Sequence, residues 1–382
     1  MFKILRNGQC YTPYNKGCND IAIVSDRIYS LDRRIEFNGL KDVEIIDCSS
    51  KIICPGIIDQ HVHILGGGGE EGPSSRVPEL MLTDITTAGV TTLVGVLGVD
   101  DITRNMGGLV AKAQALQTEG IETYVYTGSY SVPTSTLTGK VITDIAFVDK
   151  IIGTGEIAIS DYRSSHPTTS MLRTLASETV LGGMIGSKAG IMHVHVGDGK
   201  KGLSPLLELI NESDFPAHMF VPTHLNRNKE LFNQAMDFVK QGGQIDLTAG
   251  ETSERGYSVP DAIKLLIENN IDMNRVTLTS DGNGSMPYGG GDTGVGKVSQ
   301  LLDDIRSCIL QNKLDIELVL KTVTVNAAKV LKLFPRKGVL QEGSDADILV
   351  LNKGDLSIDK LFIKGEKFID NGVPVKRGRF EQ

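Results

Sequence analysis

The feature that most constrains this chain is an alternation that occupies its whole middle. Apolar, β-branched runs recur at Ile52–His63, Thr91–Gly98, Thr123–Tyr130, Ile157–Asp161, Ile191–Asp198, Met219–Asn226, Gln244–Gly250 and Val276–Asp281. Helix-like stretches such as Pro78–Ala88, Leu109–Glu119, Leu203–Asn211, Asn228–Gln241 and Val259–Asn269 lie between them. A βα alternation predicts a parallel sheet, because each crossover returns the chain to the same end. Eight units predict closure into a (β/α)8 TIM barrel. The 382 residues, 40% hydrophobic, are ample for such a core plus a smaller unit. The ends read differently. Ile21–Val24 and Val43–Asp47 near the start, and Asp347–Leu351 and Lys360–Ile363 near the finish, are β segments bounded by turns. They predict one small, discontinuous β-sandwich domain, 1–52 with 338–382, around a barrel of 53–337.

Composition narrows the function classes. With 43 Gly, 5% aromatics and no Trp, the chain suits a turn-rich α/β enzyme better than an all-β binding module. A net charge of -8 and a pI near 5.5 argue against a nucleic-acid partner. The short basic tail Lys376, Arg377, Arg379 reads as a solvated terminus. Cys10, Cys18, Cys48, Cys54 and Cys308 are odd in number and lack CxxC spacing, which excludes a disulfide framework and a cysteine zinc site. The start of the chain has no secretory h-region, and no apolar run approaches the ~20 residues of a membrane helix. A soluble, cytoplasmic protein with no membrane partner is expected.

Polar residues gather where barrel enzymes keep their chemistry, at the C-terminal strand ends. His61 and His63 end the first run, Tyr130 the third, His195 the fifth, His224 the sixth and Asp281 the eighth. Residues i and i+2 of a strand share a face, so His61 and His63 project together into the barrel mouth. Imidazoles are good ligands for zinc and similar metals, and an aspartate at the last strand can both hold a metal and move protons. His193 shares a face with His195 and competes with it; His195, just before Gly197-Asp198, is preferred. His166 and His218 read as structural or solvated. No GxSxG or other nucleophile motif is present. Gly66–Gly69 is no phosphate loop, since no GK[ST] follows. Gly289–Gly291 reads as a loop over the site.

The segment Pro55-Gly56-Ile57-Ile58-Asp59-Gln60-His61-Val62-His63 resembles the first-strand signature of the amidohydrolase superfamily. Gly343-Ser344-Asp345-Ala346-Asp347-Ile348-Leu349-Val350 resembles its return to the β domain. Within it, Gly66–Glu70, Thr127–Tyr130, Ser160–Ser164, Pro222–Asn228 and Ser280–Ser285 resemble the isoaspartyl dipeptidases, and the likeness spans nearly the whole chain. That resemblance implies two divalent ions, expected to be zinc. His61, His63 and Asp281 would hold the more buried one, and His195 and His224 the second. Family members commonly bridge the pair with a carboxylated lysine at the end of the fourth strand. Counting back from Ser160-Asp161, Glu156 stands there, and Lys150 lies too far upstream. Glu156 is therefore the expected bridge, brought inward by a backbone that Gly153 and Gly155 leave free to move.

The resemblance also implies a substrate set. Glu70 would pair with a free ammonium, Arg163 and Arg227 would clamp carboxylates, and Tyr130 would stabilise the oxyanion. Ser285 and the Gly68 backbone would add hydrogen bonds. Val99 stands where the family often has a hydroxyl residue. Asp281 would take the proton of a metal-activated water and pass it to the leaving amine. The implied activity is hydrolysis of β-aspartyl (isoaspartyl) dipeptides by a homo-oligomer, an octamer in the extreme. The alternatives are a cyclic-amide hydrolase of the dihydropyrimidinase or dihydroorotase type, and a catalytically silent barrel scaffold.

Overall fold

The structure, a computed structural model, describes residues 2–37, 42–287 and 293–381. The Gly289–Gly291 loop lies outside the described residues. Eight parallel strands organise the middle: β1 (Ile57–Val62), β2 (Val90–Gly95), β3 (Glu122–Thr127), β4 (Ile151–Ile159), β5 (Ile191–Val196), β6 (Phe220–Thr223), β7 (Ile245–Thr248) and β8 (Val276–Thr279). The first six form one curled sheet in sequence order, and β7 pairs with β8. The Leu225 amide donates to Asp246 O at 3.4 Å across one seam, and the His63 amide to Gly282 O at 2.9 Å across the other. Nearly every residue of these strands is buried, which is why they read as continuous apolar runs rather than alternating ones. This is the α/β fold that the alternation predicts.

The helices begin where sequence chemistry says they should. Asn105, Thr168, Asn228 and Ser258 each accept a backbone N–H of the first turn of the helix that follows. The longest helix, Thr169–Ile185, is absent from the helical segments that the sequence singles out. Its Gly182-Gly183 pair blurs the 3.6-residue period, and packing is the reason for it. A Cβ on Gly183 would stand 2.4 Å from the Gly190 Cα.

Both ends of the chain meet in one nine-stranded sheet. Lys51–Pro55 runs antiparallel to Ile348–Asn352, so an N-terminal strand and a C-terminal strand pair directly. The apolar run Ile52–His63 is thus two strands, divided at Gly56. A Cβ there would stand 2.3 Å from the Thr91 side chain, so glycine allows the chain to pass from one sheet to the other. All five cysteines are free. Among the described residues no helix is long and apolar enough to cross a membrane.

A buried ionic cluster joins the two sheets. The Lys337 ammonium, 2% exposed, meets Asp347 and lies 2.9 Å from Asp345 and 3.9 Å from Glu122 at the start of β3. Arg336 adds bonds to Glu122 and Asp345. Burial alone would raise the Glu122 carboxyl, but Lys337, Lys364 and Arg336 outweigh it and hold it well below the usual range. Its contribution to stability is therefore present above the ordinary glutamate pKa and is lost as pH falls through the folded value. Lys337→Met, which leaves buried Asp347 without its ammonium while Asp345 keeps Arg336, is expected to cost about 3 kcal/mol, read by chemical denaturation.

Candidate metal centre

At the C-terminal ends of the strands, six side chains converge on one buried point. His61 lies in β1 and His63 follows it; Glu156 lies in β4 and His195 in β5; His224 and Asp281 stand just beyond β6 and β8. His224 (φ 63°) and Asp281 (φ 50°) hold left-handed backbone. Such conformations cost of order 1–3 kcal/mol each and collect at functional sites. Gly98 makes room for His63, since a Cβ there would stand 2.9 Å from the imidazole Cε1.

The position of Glu156 has a backbone cause. β4 pairs with β5 through Thr154↔Met192 and then Ile157↔Val194, three steps on one strand against two on the other. This is a β-bulge, which kinks a strand and re-aims its side chains. The glycines before it permit the close approach of β4 to β5: a Cβ on Gly153 would stand 2.6 Å from Ile191 O, and one on Gly155 2.9 Å from His193 O. The bulge lies directly at Glu156, where the backbone is expected to depart from a regular strand. Lys150 is elsewhere, bonded through Nζ to Gln117 and lying over the Tyr124 ring.

The Glu156 carboxylate divides its oxygens. Oε1 lies 2.8 Å from His195 Nδ1 and 3.1 Å from His224 Nε2. Oε2 lies 3.4 Å from His61 Nε2 and 3.8 Å from His63 Nε2. Asp281 Oδ1 lies 3.3 Å from His61 Nε2 and 3.1 Å from His63 Nε2. His61, His63 and Glu156 form one buried donor group, and Glu156, His195 and His224 another; His61, His224 and Asp281 overlap both. Buried polar atoms ordinarily have hydrogen-bond partners, yet His61 Nε2, Glu156 Oε2 and Asp281 Oδ1 have none. Nitrogen and carboxylate donors, buried and unpaired around one point, fit divalent cations. The electrostatics agree. Burial would lower His61, but Glu156 and Asp281 outweigh it and raise it to about 10. The field that would protonate this imidazole equally favours a metal cation.

Around this centre lie groups that orient it. The His61 Nδ1 meets His193 Nε2 at 3.0 Å, and His61, His193 and Asp246 also lie close enough together to form a further buried donor group. His166 and His218 are exposed. His224 Nδ1 meets Thr248 Oγ1 at 2.8 Å. Asp161, which sequence reasoning did not place in the site, accepts from His195 Nε2 at 2.9 Å and chelates the Arg163 guanidinium at 3.0 and 2.8 Å. Carboxylates commonly hold the second nitrogen of a metal-binding imidazole in this way. The signal for Asp161 lay in its place, two residues before Arg163 and just beyond β4.

Tyr130, Glu70, Arg163, Arg227 and Ser285 ring the same mouth. Tyr130 Oη is 2.9 Å from His195 Nδ1. Burial first, then Glu156, pushes its hydroxyl well above the ordinary value, so it stays a proton donor at neutral pH. Arg163 Nη1 lies 3.3 Å from Glu70 Oε1, and the Ser285 hydroxyl donates to the same oxygen at 2.8 Å. Arg227 Nη1 and Arg163 Nη2 each approach His195 Nε2 at 3.5 Å. Gly68 (φ 73°) pairs with Arg76 within the same loop as Glu70. Val99 is half-buried beside it in sequence with Asp100.

Comparison with known proteins agrees with this geometry. Residues 254–368 match the Amidohydrolase family. A β-aspartyl dipeptidase from the thermophilic, keratin-degrading Fervidobacterium islandicum AW-1, solved in complex with a β-Asp-Leu dipeptide, is 41% identical over 100% of both chains, with a TM-score of 0.93. The dihydropyrimidinase of Brevibacillus agri NCHU1002 shares the fold, with a TM-score of 0.69 at 14% identity over 99% of this chain and 97% of that one. An imidazolonepropionase of Bacillus cereus (strain G9842) is 37% identical over 51 residues, 13% of this chain and only 12% of that relative. Full-length identity of this order, with the histidine and carboxylate ligands gathered as described, has one reading: the chain belongs to the β-aspartyl dipeptidase family of amidohydrolases.

Proposed function

We propose that this protein is a binuclear-metal dipeptidase that hydrolyses the isopeptide bond of β-aspartyl dipeptides. The observation that carries the reading is the Glu156 carboxylate, which offers one oxygen to His61 and His63 and the other to His195 and His224. His61, His63 and Asp281 would hold one divalent ion and His195 and His224 a second, with Glu156 shared between the two sets; zinc would suit this donor set. Such a pair, when bound, lowers the pKa of a water toward neutrality and polarises a carbonyl.

The chain's own groups supply the rest. Asp281 accepts the water's proton and returns it to the leaving amine. Tyr130, held protonated, donates to the carbonyl oxygen as charge develops, worth ~3–4 kcal/mol for one well-placed donor. Glu70 takes the substrate ammonium, and Arg163 and Arg227 take its carboxylates. Ser285 and the Gly68 backbone bound the same pocket. A cyclic amide has no ammonium, so Glu70 beside Arg163, with Arg227 near His195, favours the linear dipeptide. The remaining assignments are a closed (β/α)8 barrel of 53–337, a terminal β-sandwich of 1–52 with 338–382, a homo-oligomer and a cytoplasmic location.

The test is direct. Purified protein is assayed on β-Asp-Leu, α-Asp-Leu and dihydroorotate, before and after chelation and with zinc restored. The expected result is turnover of β-Asp-Leu alone, lost on chelation and regained with zinc. Turnover of dihydroorotate alone would overturn the substrate; full activity in stripped protein would overturn the metal.

A further inference from the structure

Glu70 sits on a loop that glycine makes difficult to hold. Gly66–Gly69 precede it, and every ordered residue of such a segment costs backbone entropy, glycine most of all. The loop is nevertheless folded back on itself, with the Val77 amide donating to Gly67 O at 3.0 Å. One buried cation, in the segment after β2, joins its two limbs. Arg104 is 7% exposed. Its Nε donates to Leu65 O at 3.2 Å and its Nη2 to Gly67 O at 2.9 Å, both on the outgoing limb. The same Nη2 donates to Val77 O at 3.1 Å on the returning limb. Asp100 holds the other edge, 2.9 Å from Nη1. Four N–H groups of a planar fork are thus spent on a single loop and its anchor. The Gly67 amide in turn donates to Asn283 O at 2.8 Å, tying the loop to the segment that follows β8 and carries Ser285.

We propose that Arg104 is a positioning residue for substrate recognition: it clamps the 65–77 loop so that Glu70 meets the free ammonium of the dipeptide. This rests on the reading of Glu70 given above. Arg104 touches no reacting atom, so its influence falls on binding of ammonium-bearing substrates. A lysine keeps the charge but lacks the fork that reaches both limbs.

The experiment compares β-Asp-Leu with succinyl-leucine, which has the same amide and both carboxylates but no ammonium. Arg104→Lys is expected to raise KM for β-Asp-Leu by about tenfold or more with kcat within ~3-fold, the pattern of lost ground-state binding. Its kcat/KM for succinyl-leucine should stay within about twofold of wild type. In Arg104→Lys with Glu70→Gln the losses on β-Asp-Leu should not add, because both remove one interaction. Asp100→Asn, which frees one edge of the guanidinium, should shift the same readings by less. Limited trypsin digestion reads the loop without activity: cleavage after Arg76 should be faster in Arg104→Lys than in wild type. Equal losses on both substrates, or unchanged cleavage at Arg76, would overturn the proposal. If wild type turns over neither substrate, the function proposed above fails, while the tryptic comparison still decides the clamp.

Discussion

Glu156→Ala is expected to hold fewer than two divalent ions per chain and to lose β-Asp-Leu turnover by roughly 10³-fold or more, the scale of removing a metal-activated nucleophile. Four imidazole nitrogens face the Glu156 oxygens within 3.8 Å, and Asp281 is the other carboxylate among the ligands. Alanine would leave His195 and His224 with no shared anion to offset a second cation. Glu156→Gln keeps the shape but halves the carboxylate, and should retain one ion better than the other. Glu156→Lys with bicarbonate should fail to restore activity. Glu156 already reaches the four imidazoles from where it stands, so a longer side chain would overrun them. Metal content by elemental analysis, read beside the rate, checks all three. Two full equivalents of metal in Glu156→Ala would remove Glu156 from the bridge.

Asp281→Asn should lower kcat/KM by about 10²- to 10⁴-fold, the usual worth of a positioned general base. The carboxylate is held below its usual range: burial would raise it, but His61 and His63 outweigh that. It is therefore ionised at neutral pH. The asparagine keeps an oxygen near His61 and His63, so metal loss should be smaller than in Glu156→Ala. A fall in rate with near-full metal content separates proton transfer from ligation. Equal loss of both would assign Asp281 to ligation alone.

Much of this site was legible in advance, for a local reason. A strand alternates its faces, so His61 and His63 two apart had to point the same way. The βα alternation then put His195, His224 and Asp281 at the same end as that pair. Glu156 was found by counting along one strand. Gly153 and Gly155, both just before it, mark a backbone of few steric limits, and the strand carries a bulge there. Other features depended on segments distant in sequence. Asp161 looks like any loop carboxylate until β4 and β5 bring it to His195. Arg104 looks like a surface charge until Leu65, Gly67 and Val77 close around it. The Gly182-Gly183 helix was hidden because its apolar period yields to contact with Gly190.

Sequence by itself therefore determined the α/β class, the end of the strands at which chemistry gathers and the histidines and carboxylates that gather there. These follow from periods of two and 3.6 residues, which are local. Only the tertiary structure decided which oxygen of Glu156 faces which histidine, where the apolar run Ile52–His63 divides between two sheets, and what holds Glu70 in place. Those are contacts between segments tens to hundreds of residues apart. Their distances depend on how the packed strands and loops settle against one another, and no local pattern carries that information.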